Sequence, residues 1–99
     1  MINPKELKET AQDISVLYVE DDQELRQNTA RLLGSFFTVI HIAENGVEGL
    51  EMFNKNNYDL IITDINMPLM NGVKMVREIK KKNPRQIIMV ISAHDEARY

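Results

Sequence analysis

Cysteine is absent from the 99-residue chain, which excludes a disulfide scaffold, a thiolate zinc site and a cysteine nucleophile. Histidine occurs only at His41 and His94, so a histidine-based zinc site is not expected. Long apolar runs are missing as well. The longest, Ile87 to Ile91, falls far short of the roughly 20 residues of a membrane-spanning helix. The amino terminus carries Lys5, Glu6, Lys8 and Glu9 and no apolar h-region, so no signal peptide is expected. Excess positive charge is lacking too: 12 Lys and Arg stand against 15 Asp and Glu, a net charge of −3. That balance carries no basic footprint for nucleic acid. These absences predict a soluble protein of a reducing compartment, most simply the cytoplasm, with neither membrane nor nucleic acid as a partner.

What is present is an alternation of short apolar runs and amphipathic stretches, without repeats or a Gly/Ser-rich linker. The length suits a single domain. Asn3, Pro4 and Glu6 form a helix-start pattern, predicting a short helix to about Gln12 within an N-terminal extension over residues 1–13. Ser15 to Val19 is an apolar, β-branched run that predicts a buried strand, ending in Glu20-Asp21-Asp22. A helix is expected from Gln23 to Ser35, with Leu25, Leu32, Leu33 and Phe36 near one stripe. Phe37 to Ile42 reads as the second strand, and Asn45 can cap a helix from Val47 to Asn56 with Val47, Leu50 and Phe53 inward. Tyr58 to Thr63 reads as the third strand, ending in Asp64. Met67 to Gly72 is a loop punctuated by Pro68 and Gly72. Val73 to Lys82 reads as a helix with Val73, Val76 and Ile79 inward, stopped by Asn83-Pro84. Gln86 to Ile91 is the fourth strand, followed by Ser92.

Strands alternating with helices predict βαβ units and a parallel sheet. In such sheets ligands bind beyond the carboxyl ends of the strands. Those ends carry Glu20, Asp21, Asp22, Asp64 and Ser92. Two carboxylates about 4 Å apart repel by roughly 4 kcal/mol at an effective dielectric of 20. Protonation or a bound cation relieves this, and a few oxygen ligands on loops suit Mg²⁺. A hard cation in turn draws phosphate oxygens. Taken singly, the same residues have ordinary readings: Asp22 as a helix cap, Asp64 as a turn residue, Ser92 as a cap, His41 as structural or surface, His94 as an exposed loop residue. Lys80-Lys81-Lys82 and Arg85 suit a solvated helix end, and Met67, Met70, Met75 and Met89 suit core and loop packing.

Three segments carry a resemblance. Val16-Leu17-Tyr18-Val19-Glu20-Asp21-Asp22 resembles the first strand and acidic pair of response-regulator receiver domains. Asp64-Ile65-Asn66-Met67-Pro68-Leu69-Met70-Asn71-Gly72 resembles that family's phosphoacceptor loop, and Val90-Ile91-Ser92-Ala93 its fourth strand and switch hydroxyl. The resemblance spans about residues 14–99. It implies a flavodoxin-like, doubly wound parallel sheet with strand order 2-1-3-4-5. It also implies that Asp64 accepts a phosphoryl group from a histidine kinase or phosphotransfer protein, with Mg²⁺ as cofactor. By the same resemblance, Asp21 is a direct metal ligand, Glu20 its partner, Asn66 a ligand through its backbone carbonyl, and Ser92 the switch hydroxyl. Asn66 and His94 match positions that tune dephosphorylation.

The count departs from that family after the fourth strand. The expected architecture is (βα)3β, truncated there, over residues 14–99, without the family's fifth strand, last helix and fifth-strand lysine. The fourth strand is then an edge, through which a homo-oligomer is expected. Two further readings stand beside the phosphoacceptor: a receiver-like interaction module that is not phosphorylated, and an aspartate-nucleophile phosphatase. The phosphatase class needs a second acid where Asn66 stands, so no enzyme activity is expected beyond phosphorylation and dephosphorylation at Asp64.

Overall fold

The computed structural model describes residues 13–65, 67 and 69–91. Within them the chain runs β1 (Ser15–Val19), α1 (Gln23–Leu33), β2 (Val39–Ala43), α2 (Gly46–Lys55), β3 (Leu60–Asp64), α3 (Gly72–Lys82) and β4 (Ile87–Ile91). The helix expected up to Gln12 and the positions Asn66, Ser92 and His94 lie outside the described residues.

The strands form one parallel sheet in the order β2-β1-β3-β4. This is the flavodoxin-like order over its first four strands. Register is fixed by burial: Val16 pairs with Ile40 on one side and Leu60 on the other, and Val19 with Ala43 and Thr63. A one-residue slip would turn every side chain to the opposite face. β1 is the most enclosed strand, with Val16, Leu17, Tyr18 and Val19 fully buried. On one face Leu17, Val19, Ala43 and Ile61 pack with Met75 and Ile79 of α3 and with Leu50, Met52 and Phe53 of α2. On the other face Val16, Tyr18 and Ile62 pack against Ala30 and Leu33 of α1. The sheet is thus covered on both sides, the doubly wound arrangement.

The element boundaries depart from the sequence expectations for local reasons. α1 ends at Leu33 rather than Ser35, because the amides of Gly34 to Phe37 turn back onto the carbonyls of Ala30, Leu32 and Leu33. That tightening turn uses Phe36 and Phe37, so β2 begins at Val39 rather than Phe37. β3 extends one residue further than expected, because Asp64 still pairs with Ile91. The acceptor candidate therefore sits on the last residue of the strand.

Helix faces follow the expected stripes in part: Leu33, Leu50, Phe53 and Ile79 lie inward as expected, and other positions do not. On α1 the inward row is Arg26, Ala30 and Leu33, and Leu32 is 62% exposed. On α3 Gly72, Met75 and Ile79 face inward, and Val73 is half exposed. On α2 Gly46 and Gly49 are the buried residues, and Val47 is exposed. The helix starts follow the sequence reading more closely. Asn45 Oδ1 accepts from the Glu48 amide at 2.8 Å, and Asn71 Oδ1 from the Lys74 amide at 2.9 Å. Each cap satisfies an amide left without an intrahelical partner.

Among the methionines, Met67 and Met75 are buried and Met70 packs against the core, as expected. Met89 is not: it is exposed on β4 beside Ile87 and Val90, because β4 closes one edge of the described sheet. His41 is structural, its Nδ1 lying 2.7 Å from the Tyr58 hydroxyl with the two rings edge-to-face. No helix among the described residues is long and apolar enough to cross a membrane.

Candidate functional site

The sheet brings its chemistry to the carboxyl ends of β1 and β3. Glu20 follows β1 directly and is fully buried, its amide donating to the Ala43 carbonyl at 3.1 Å. Its Oε2 accepts from the Asp22 amide at 3.1 Å. Asp22 itself caps α1, its Oδ1 accepting from the Leu25 amide at 2.9 Å. The ordinary reading of Asp22 is the one its geometry bears out. Asp64, also fully buried, accepts from the Ile65 amide through Oδ1 at 2.7 Å. Thr63 Oγ1 donates to the Asp64 carbonyl at 2.8 Å.

The two strand ends bring Glu20, Asp21 and Asp64 together. Each offers a carboxylate oxygen, and the three oxygens lie within 4.8 Å of one another. Among the described residues, Glu20 Oε1 and Asp21 Oδ1 are buried with no hydrogen-bond partner. Buried carboxylate oxygens in that condition are costly. The strain shows in Glu20, whose pKa rises from 4.5 to about 7. Burial is the main cause; Asp21 and Asp64 push the same way, against the stabilising Asp22 amide. An all-oxygen donor set that includes the buried Glu20 Oε1 and Asp21 Oδ1 fits a hard divalent cation such as Mg²⁺.

The loop after Asp64 is fixed by close backbone approaches. The Gly72 amide donates to the Ile65 carbonyl at 2.7 Å, closing the loop onto the start of α3. A Cβ at Gly72 would collide with the Asp64 carbonyl oxygen and lie 2.9 Å from Ile65 Cα. A Cβ at Gly46 would likewise run into the Met70 carbonyl. Met67 anchors the loop in the core. Leu69 has the opposite character, with φ 69° and 82% exposure. A non-glycine residue in that region carries backbone strain.

Sequence reasoning did not single out Arg26. It is 8% exposed and spans the site's underside, Nη1 donating to the Glu20 carbonyl at 2.9 Å and Nη2 to Glu44 Oε1 at 3.3 Å. The available signal was its helical spacing: Arg26, Ala30 and Leu33 share one face.

Comparison with known proteins agrees with this arrangement. The family model described as the response regulator receiver domain matches residues 16–99. A response regulator receiver protein of Anaeromyxobacter sp. is 38% identical over 78 residues, covering 79% of this chain and 33% of that protein. A protein-glutamate methylesterase/protein-glutamine glutaminase of Vibrio cholerae is 39% identical over 88 residues, covering 86% of this chain and 23% of that protein. Among solved structures, the response regulator TrrA of Thermotoga maritima in complex with Mg²⁺-BeF superposes with a TM-score of 0.76 at 35% identity. That match covers 86% of this chain and 74% of that one. The fold is that of a flavodoxin-like, receiver-type α/β domain. The chain belongs to the response regulator receiver domain family, and it spans about a third or less of the two curated relatives just described.

Proposed function

We propose that this chain is a phosphoacceptor of a two-component system, taking a phosphoryl group onto Asp64 from a phosphohistidine of a histidine kinase or phosphotransfer protein. The observation that carries the reading is the gathering of Glu20, Asp21 and Asp64 from two strand ends. A carboxylate is a competent nucleophile for this transfer. An Asp64 carboxylate oxygen forms the new bond to phosphorus as the phosphorus–nitrogen bond of the donor breaks, and the departing imidazole nitrogen takes a proton from solvent. The Ile65 amide at Oδ1 orients that carboxylate, and the Gly72 contact holds its backbone.

Glu20, Asp21 and Asp64 would hold Mg²⁺, with the Asn66 carbonyl as a fourth protein ligand by family resemblance. When bound, the ion neutralises charge on the transferring oxygens. Ser92 is the residue proposed to hydrogen-bond the new phosphoryl group and so couple its arrival to a loop movement. The absence of cysteine suits a reducing, cytoplasmic setting. Enzymatic output, as in the methylesterase relative, would come from other domains or partners.

Intact-mass spectrometry after incubation with Mg²⁺ and acetyl phosphate tests the assignment. The expected result is a gain of one phosphoryl mass that disappears in Asp64→Asn. Persistent labelling of Asp64→Asn would contradict the acceptor assignment.

A further inference from the structure

Arg26 is the one Lys or Arg side chain buried among the described residues. A buried guanidinium needs compensating acceptors, and which acceptors it takes is informative. The carboxylates of the acidic cluster are not among its hydrogen-bond acceptors. Nη1 donates to the backbone carbonyls of Glu20 at 2.9 Å and Asp21 at 3.3 Å, and Nη2 reaches Glu44 on the far side. The Glu44 side chain is 64% exposed, so that ion pair contributes little. Of the three contacts, the one to the Glu20 carbonyl is buried.

Those two carbonyls belong to the peptide planes on either side of the Asp21 Cα. A peptide unit is planar, so holding both planes sets φ and ψ of Asp21. With φ and ψ set, the direction of its Cα–Cβ bond is set too, and the carboxylate is confined to the rotamers about that bond. The same clamp fixes the plane that follows Glu20, whose own amide is already held by the Ala43 carbonyl. Arg26 spends its donors on two backbone carbonyls and on Glu44, and so leaves Glu20 Oε1 and Asp21 Oδ1 to a cation. The chain thus orders the backbone beneath these carboxylates without occupying their oxygens, which is what a cation site needs.

We propose that Arg26 is a positioning residue of the divalent-cation site, holding the Glu20 and Asp21 backbone so that their carboxylates converge with that of Asp64. The inference rests on the metal-site reading above. Lysine cannot substitute fully, because an ammonium lacks the planar fork that reaches the carbonyls and Glu44 together.

The test is a calorimetric titration with Mg²⁺ alone on the parent chain, Arg26→Met, Arg26→Lys and Glu44→Gln. Arg26→Met keeps the apolar stem and is expected to weaken Mg²⁺ binding by a factor of about 10 or more, the usual cost of losing an outer-shell partner. Arg26→Lys is expected to recover part of that loss, and Glu44→Gln to stay within about twofold of the parent. In phosphoryl uptake, the half-saturating Mg²⁺ concentration should rise in Arg26→Lys while the rate at saturating Mg²⁺ is kept. A residue that serves the fold alone would leave the half-saturating concentration unmoved. A folded Arg26→Met with parental Mg²⁺ affinity overturns the inference. If Arg26→Met does not fold, Arg26→Lys decides: parental affinity and parental Mg²⁺ dependence overturn it. A parent chain that binds no Mg²⁺ contradicts the metal-site reading and this inference together, an outcome distinct from intact binding that ignores Arg26.

Discussion

The two ends of the sheet treat polar groups in opposite ways. At the amino end, polar side chains are consumed by structure. Asp59 Oδ2 accepts from the Ser15 amide at 2.9 Å and from Ser15 Oγ at 3.1 Å, tying β1 to β3. Gln86, nearly fully buried, donates to the Tyr58 carbonyl at 3.0 Å, and Lys80 Nζ reaches the Gln86 carbonyl at 2.6 Å. At the carboxyl end, Glu20 Oε1 and Asp21 Oδ1 are buried without a partner among the described residues, Glu20 is pushed up to about 7, and Leu69 holds a left-handed backbone. One end is satisfied and serves stability. The other stores cost, as functional sites do.

The largest effect expected from breaking this contrast comes from Gly72→Ala. The added Cβ meets backbone at Asp64 and Ile65, which cannot yield as a side-chain end could. A loss of about 3 kcal/mol or more is expected in denaturant unfolding, together with loss of phosphoryl uptake.

Next is Glu20, which has a definite pH signature. Its folded pKa of about 7 lies above the ordinary 4.5, so the folded chain holds that proton more tightly than the unfolded chain does. The stability it contributes is fully present below 4.5 and is lost as the pH rises through about 7. Glu20→Gln cannot ionise and lacks this loss. Without divalent cation, the parent should lose about 1 to 3 kcal/mol relative to Glu20→Gln across that window. Parallel stability–pH curves for the two would count against the buried-acid account.

Asp59→Ala probes the satisfied end. It removes the bridge to Ser15 and should cost about 1 kcal/mol while leaving Mg²⁺ binding unchanged. The smallest effect belongs to Leu69→Gly. Relief of the left-handed backbone is offset by added chain entropy, for a net gain of about 1 kcal/mol or less, read as a raised midpoint at constant denaturant slope.

The same contrast governs what the sequence reveals. The strand core Val16 to Val19 is legible because a doubly covered parallel strand needs a near-continuous apolar run, and Ile87 to Ile91 carries the same run though it stands at the exposed edge of the described sheet. The acids were legible because they stand at strand exits. Strand starts were not: the turn through Ser35, Phe36 and Phe37 takes residues whose apolar, aromatic character suggests strand. Helix rotation was misjudged in part, for a related reason. The backbone contact of Gly72 with Asp64 sets the face that α3 turns inward, favouring Met75 over Val73. Arg26 reads locally as an ordinary helix residue. Helical spacing places it on the face of Ala30 and Leu33, but what it meets there, the Glu20 carbonyl, is a tertiary fact. The left-handed Leu69 runs against residue preference altogether.

The central claim is that the carboxyl end is completed by a divalent cation. Thermal or denaturant unfolding of the parent at about pH 8, with and without Mg²⁺, tests it most directly. The account predicts stabilisation that grows with the logarithm of Mg²⁺ concentration, reaching about 2.7 kcal/mol at 100 times the dissociation constant. It predicts that Asp21→Asn blunts that gain. Unfolding of the parent that is indifferent to Mg²⁺ would contradict it.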